Sequence, residues 1–188
     1  RFTALDIIGP FQVLAGVPNH DVFFVAAEAG PVMDHTGRCP LTASRTFAEV
    51  SAPDVVVVPG GPNAERLIPD HPIISWLQAV HPTTRWTTSV CTGSLLLAGA
   101  GLLDGLDATT HWAAYDVLSS LGAHPTATRV VERGKIITGA GVSAGIDMAL
   151  TLLDRLHGPV VAQAVQLGIE YDPQPPFDSG SPAKAPQE

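Results

Sequence analysis

Residues 54–61 read DVVVVPGG, four consecutive valines closed by a proline and two glycines. A strand with one wet face alternates polar and apolar residues. An unbroken β-branched run instead marks a strand buried on both faces. Such a strand has to lie inside a parallel sheet with helices above and below, so this run points to an α/β layered fold. The Pro-Gly-Gly that follows is a turn at the strand's carboxyl end, where open parallel sheets place their ligands.

The rest of the chain supplies the alternation. Residues 21–30 (DVFFVAAEAG) read as a buried strand closed by a Gly-Pro turn, and 31–47 as a small β-hairpin about Thr36-Gly37. Residues 71–81 form an amphipathic helix, with Ile73, Ile74, Leu77 and Val80 at helical spacing and Pro72 in the first turn. RWTTSV (85–90) is a short strand and TGSLLLAGAGLL (92–103) a buried helix. ATTHW (108–112) reads as a strand end, and 113–122 as a helix closed by glycine. A hairpin about Arg133-Gly134 spans 128–139. Two helices follow, 143–158 with Ile146, Leu150, Leu153 and Leu156 along one face, and 159–171 opened by a proline.

The first sixteen residues read as a loop and then a helix, where folds of this kind begin with a central strand. The expectation is that a first strand precedes Arg1 in the full protein. Residues 1–171 then form one domain, and 172–188, rich in proline and without periodicity, an extended tail. A length of 188 residues suits a single core.

A net charge of −8, with the ten basic residues scattered, leaves no patch for a nucleic acid. The longest apolar run, Leu95 to Leu103, is too short to span a bilayer, so no membrane partner is expected. Two cysteines, Cys39 and Cys91, and no visible secretory signal fit a reducing cytoplasm. Cys39, on the first hairpin, reads as structural.

Cys91 ends one predicted strand and opens a predicted helix. It is either a small buried hydrophobe or a nucleophile on a tight strand–helix turn. Helix N–H groups aimed at the sulfur would favour its thiolate, and Thr92, Gly93 and Ser94 are small enough for a sharp turn. Such a nucleophile needs a proton donor. Asp6, among Leu5, Ile7 and Ile8, is either that donor or a helix N-cap. Gly60 and Gly61 offer backbone N–H groups to charge developing on a substrate, or form a plain turn. His111 is either an accessory group or a satisfied structural histidine. The glycine-rich stretch 139–145 matches neither a dinucleotide nor a phosphate loop, and reads as close backbone packing beside the site. No histidine has metal-ligand spacing.

The set LDIIGPFQVL, VVVVPGG, TSVCTGSLLLAGAGLLDG, ATTHWA, GAGVSAGIDMAL and QLGIEYDPQPPFDSGSP resembles the ThiJ/PfpI superfamily, and within it the isonitrile hydratases. The resemblance runs from about Phe2 to Pro182. It implies a flavodoxin-like three-layer α/β sandwich, a homodimer and no cofactor. It implies that Cys91 is the nucleophile, Asp6 its acid/base partner and Thr92 their neighbour. Peptidases of the superfamily carry histidine after the cysteine; Thr92 stands there in this chain. The expected reaction is hydration of an isonitrile to an N-substituted formamide through a cysteine thioimidate. The substrate's organic group would lie near Val142 and Trp112. The same superfamily supplies the sensory half of AraC-type regulators and glyoxalase or redox-type members, which are the alternative functions.

Overall fold

A computed structural model of the chain describes residues 1–186. The chain opens with helix α1 (Ala4–Leu14), then strands β1 (Val25–Ala26), β2 (Gly30–Met33), β3 (Pro40–Ala43) and β4 (Arg45–Thr46). Strand β5 (Val55–Val58), helix α2 (Pro72–Val80), strand β6 (Trp86–Val90) and helix α3 (Gly93–Gly99) follow. Next come β7 (Asp107–Ala108), α4 (Tyr115–Ser120), β8 (His124–Pro125), β9 (Val130–Arg133) and β10 (Ile136–Gly139). Helices α5 (Ala144–His157) and α6 (Pro159–Gly168) close the domain.

The central sheet runs β5-β6-β10-β9, parallel except for the β9–β10 hairpin. It is the middle of three layers. Val56 and Val58 face a core shared with α2, α3 and α4, built on Leu77, Leu97 and Leu118. Val55 and Val57 face the other way, toward α1, α5 and α6 and the buried Val13, Met148 and Leu152. The four-valine run is thus sandwiched on both faces, as its pattern requires. Each fully buried leucine in these cores contributes about 1.5–3 kcal/mol.

Several segments depart from the sequence reading. Of the expected strand 21–30, Val25 and Ala26 alone form β1 and Gly30 already opens β2; β1 is half-buried and pairs with β4 outside the central sheet. Helix α3 ends at Gly99 rather than reaching 103, because Gly101 takes a φ of +77° that reverses the chain. The ATTHW segment contributes only Ala108 to a strand, β7, which pairs with β8. In α5 the buried stripe is Gly145, Met148, Ala149, Leu152 and Leu153, one position round from the expected face. Ile146, Leu150 and Leu156 are half-buried at its margins, where α1 and α6 flank the helix.

The β2–β3 hairpin forms as expected, and its turn is organised by the buried Asp34 carboxylate. Burial opposes that charge. The Thr36 hydroxyl and the N–H groups of Cys39, Arg38 and Thr36 outweigh it and hold the carboxyl below the usual range. Beyond α6 the described residues hold neither helix nor strand. A turn at 181–185, in which Lys184 and Ala185 donate to the Ser181 carbonyl, precedes its end. Residues 187 and 188 of the expected tail lie outside the described residues. Among the described residues no helix is long and apolar enough to cross a membrane.

Candidate active site

Strand β6 delivers the chain to Cys91, and α3 starts two residues later at Gly93. The reversal between them puts Cys91 at a φ of +57°. For a residue with a Cβ this left-handed conformation costs of order 1–2 kcal/mol. It is held by bonds on both sides. The Cys91 N–H donates to the carbonyls of Gly139 (3.1 Å) and Ala140 (2.9 Å). The Cys91 carbonyl accepts from the hydroxyls of Thr110 (3.0 Å) and Ser94 (3.1 Å).

The elbow touches the end of β5. A Cβ on Gly93 would lie 2.2 Å from the Val58 carbonyl oxygen, and one on Gly60 2.4 Å from the Thr92 nitrogen. Only glycine allows either approach.

Asp6 is neither in a loop nor an N-cap. Thr3 is the N-cap of α1, and Asp6 sits in the first turn with no exposed surface. Its Oδ2 accepts from the Gly60 N–H at 2.9 Å, and Oδ1 has no hydrogen-bond partner among the described residues. The Cys91 thiol lies beside the same carboxyl. Burial pushes the Asp6 pKa up from 3.8 to about 7, against the pull of the Gly60 N–H and the thiol.

The thiol is raised as well, by burial first and then by the negative charge of Asp6. The N–H of Val142 and the N–H and hydroxyl of Thr92 pull it back without reversing that direction. The sequence expectation of a thiolate favoured by a following helix is therefore corrected. Helix α3 is one short segment of seven residues, and burial beside a carboxyl outweighs it. Both shifts oppose charge, so burial and each other's proximity keep the pair from carrying two negative charges at neutral pH.

The Pro-Gly-Gly turn holds the site together, and its N–H groups are not free for a substrate. Gly60 N–H is taken by Asp6, and Gly61 N–H donates to the Thr92 hydroxyl (2.9 Å), which donates in turn to the Gly61 carbonyl (2.8 Å). Thr92 thus ties the elbow to the turn while facing the sulfur.

Val142 contributes its backbone N–H to the thiol, and its side chain packs half-buried in the cluster that contains Cys91. His111 accepts the Ala113 N–H at Nδ1 (3.3 Å) and caps its own turn. The Cδ2 edge of its ring would lie 2.9 Å from a Cβ on Gly141. Among the described residues it makes no hydrogen bond to Cys91. Trp112 follows it, 57% exposed, with its ring 5.4 Å from the imidazole. Cys39 is an unpaired, half-buried thiol on the hairpin, where its N–H serves Asp34.

The sequence reading did not single out Thr110, whose fully buried hydroxyl holds the elbow carbonyl. Two adjacent threonines before a histidine were the signal, since a buried hydroxyl needs a partner. Among the described residues no group of three or more histidine, cysteine or acidic side chains could hold a metal ion.

A mostly parallel sheet carrying a strained cysteine elbow, with a carboxyl delivered from the preceding helix, defines a class of protein, and known proteins of that class match it. A model of the DJ-1/PfpI family matches residues 1–155, and the chain belongs to that family. It is 48% identical over 182 residues to the isonitrile hydratase of Pseudomonas putida, covering 97% of this chain and 79% of that one. It is 31% identical to the HTH-type transcriptional regulator CdhR of Pseudomonas aeruginosa, over 75% of this chain and 42% of that protein. The crystal structure of a ThiJ/PfpI family protein from Pseudomonas syringae superposes with a TM-score of 0.93 at 36% identity. It covers 98% of this chain and 77% of that one.

Proposed function

We propose that the protein hydrates isonitriles to N-substituted formamides, with Cys91 and Asp6 as its reacting groups. The observation that carries this reading is a buried carboxyl set against a buried thiol in a chain 48% identical to the Pseudomonas putida hydratase. The terminal carbon of an isonitrile accepts both a soft nucleophile and a proton. An acid–thiolate pair sharing one proton can supply both.

Cys91 sulfur bonds to that carbon while the Asp6 carboxyl protonates it, giving a thioimidate, R–N=CH–S–Cys. Asp6, now a carboxylate, takes a proton from water as the oxygen adds to the same carbon. Relayed through Asp6, the proton of the new hydroxyl group passes to the substrate nitrogen, the C=O bond forms as the C–S bond breaks, and R–NH–CHO leaves with the sulfur released as thiolate. One water is consumed, and the pair ends with the single proton it began with. Splitting the hydration through a covalent intermediate lowers each barrier. The N–H groups of Thr92 and Val142 stabilise the sulfur anion as it forms and again as it departs.

The test is direct. Purified protein is mixed with cyclohexyl isocyanide and formamide absorbance is followed in the ultraviolet. Turnover by the wild type that vanishes in Cys91→Ala supports the reading. An inert wild type, or turnover that survives the substitution, sinks it. A homodimer belongs to the same proposal, and sedimentation at twice the 19.6 kDa chain mass checks it.

A second reading, a sensory domain of a transcription regulator, is favoured by the 31% identity to CdhR. An inert wild type that binds a small molecule tightly, with no covalent change at Cys91, would favour it.

A further inference from the structure

Trp112 and the tail face each other across a cavity of about 380 Å³, lined also by Ser179, Gly180, Ser181, Pro182 and Ala185. That volume is in the range of small-molecule sites. Three connections tie it to the thiol. The Thr110 hydroxyl holds the Cys91 carbonyl, and Trp112 lies two residues further on, within about 7 Å of backbone. The His111 ring, packed beside Trp112, rests against Gly141. The next residue, Val142, donates its N–H to the sulfur.

Where it forms the facing wall, the tail is tied back on itself. Lys184 pairs with Asp178 at 2.7 Å, and the turn at Ser181 closes with two backbone bonds. An indole left 57% exposed two residues from the threonine that holds the Cys91 carbonyl is an unusual expense for a structural residue, since the ring has large apolar area to bury.

We propose that this cavity is the subsite for the substrate's organic group, with Trp112 as one wall and the tail residues 179–185 as the other, so that the tail sets which groups are accepted. The inference rests on the hydratase reading for its substrate class. The isonitrile function is linear, so the substituent on nitrogen is carried straight away from the sulfur before its bulk begins. A pocket one step removed from Cys91 meets that geometry; one at the thiol itself does not. The occupant is an alkyl or aryl group stacked on the indole face.

Two variants of the full chain test it. Trp112→Ala removes the indole wall and Ala185→Trp narrows the cavity from the tail side. The readout is the ratio of kcat/KM for benzyl isocyanide to that for methyl isocyanide. In parallel, the rate of Cys91 alkylation by N-benzyl iodoacetamide is compared with that by iodoacetamide, in a Cys39→Ser background. Both variants should lower both ratios about tenfold, the scale on which a pocket discriminates by a small apolar group, while Glu28→Ala, on the exposed loop after β1, leaves them unchanged. Ratios within twofold of wild type in both variants overturn the subsite. An inert wild type whose alkylation ratio still responds overturns the hydratase reading and leaves the subsite standing. Turnover with unresponsive ratios does the reverse.

Discussion

At the scale of residues, the decisive feature is that Asp6 and Cys91 are buried together and that burial raises the pKa of both. In the proposed mechanism, raising the pH through about 7 ionises Asp6 and leaves one proton on the pair, the form that reacts. The kcat/KM profile should therefore rise through about pH 7, and a stopped-flow pH series should find that limb absent in Asp6→Asn. The same variant should lose about 10²–10⁴ in kcat, the usual worth of general acid–base catalysis. It should also be the more stable protein. Asp6 ionises near 3.8 when unfolded and near 7 when folded, so wild-type stability is full below about pH 4 and falls as pH rises to about 7. Calorimetry should give Asp6→Asn a Tm several degrees above wild type at pH 8, with the gap closing near pH 4; each kcal/mol is worth about 2–4 °C at this size. The raised thiol has a consequence for the redox-type alternative. Oxidation proceeds through the thiolate, so Cys91 should react slowly with peroxide at pH 7, and mass spectrometry of peroxide-treated protein should find little sulfinic acid there.

At the scale of elements, the site depends on how closely the ends of β5 and β6 approach. Gly93→Ala drives a methyl group into the Val58 carbonyl, with no side-chain end to yield. Chemical denaturation should show a loss of several kcal/mol, far above that of an ordinary surface change. Elements were also where the sequence was most and least legible. The valine run of β5, the proline-led α2 and the hairpins about Gly37 and Gly134 carry local signals, and each stands where its residues place it. The cysteine elbow was visible because a strand-then-helix pattern is itself local. What failed was non-local. Whether 21–30 is a full strand depends on a neighbour, and outside the central sheet only two residues pair. Gly60 and Gly61 looked open to a ligand because nothing nearby in sequence announces that Asp6 and Thr92 occupy them. The charge state of the cysteine depended on burial and on a carboxyl 85 positions away, whereas the local helix start pointed the other way.

At the scale of the molecule, α1 and α6 flank α5 on one side of the sheet and leave apolar side chains uncovered: Leu5, Ile8, Val160 and Leu167. The proposed homodimer would bury such a face. Sedimentation of a Val160→Glu/Leu167→Glu double variant should then show the single-chain mass, and an unchanged dimer would place the interface elsewhere. The groups that surround the sulfur come from α1, from the β6–α3 elbow and from the loop after β10, so the site exists only when distant parts of the chain have met. The Cys91 N–H is held by carbonyls at 139 and 140, and Gly60 binds a side chain 54 positions earlier. Pairings of such separation form slowly, because chain closure precedes their reward. During refolding, turnover can return no sooner than β10 docks beside β6. Helical signal can recover earlier from α2 and α5 alone, so recovered activity serves as a clock for completion of the sheet.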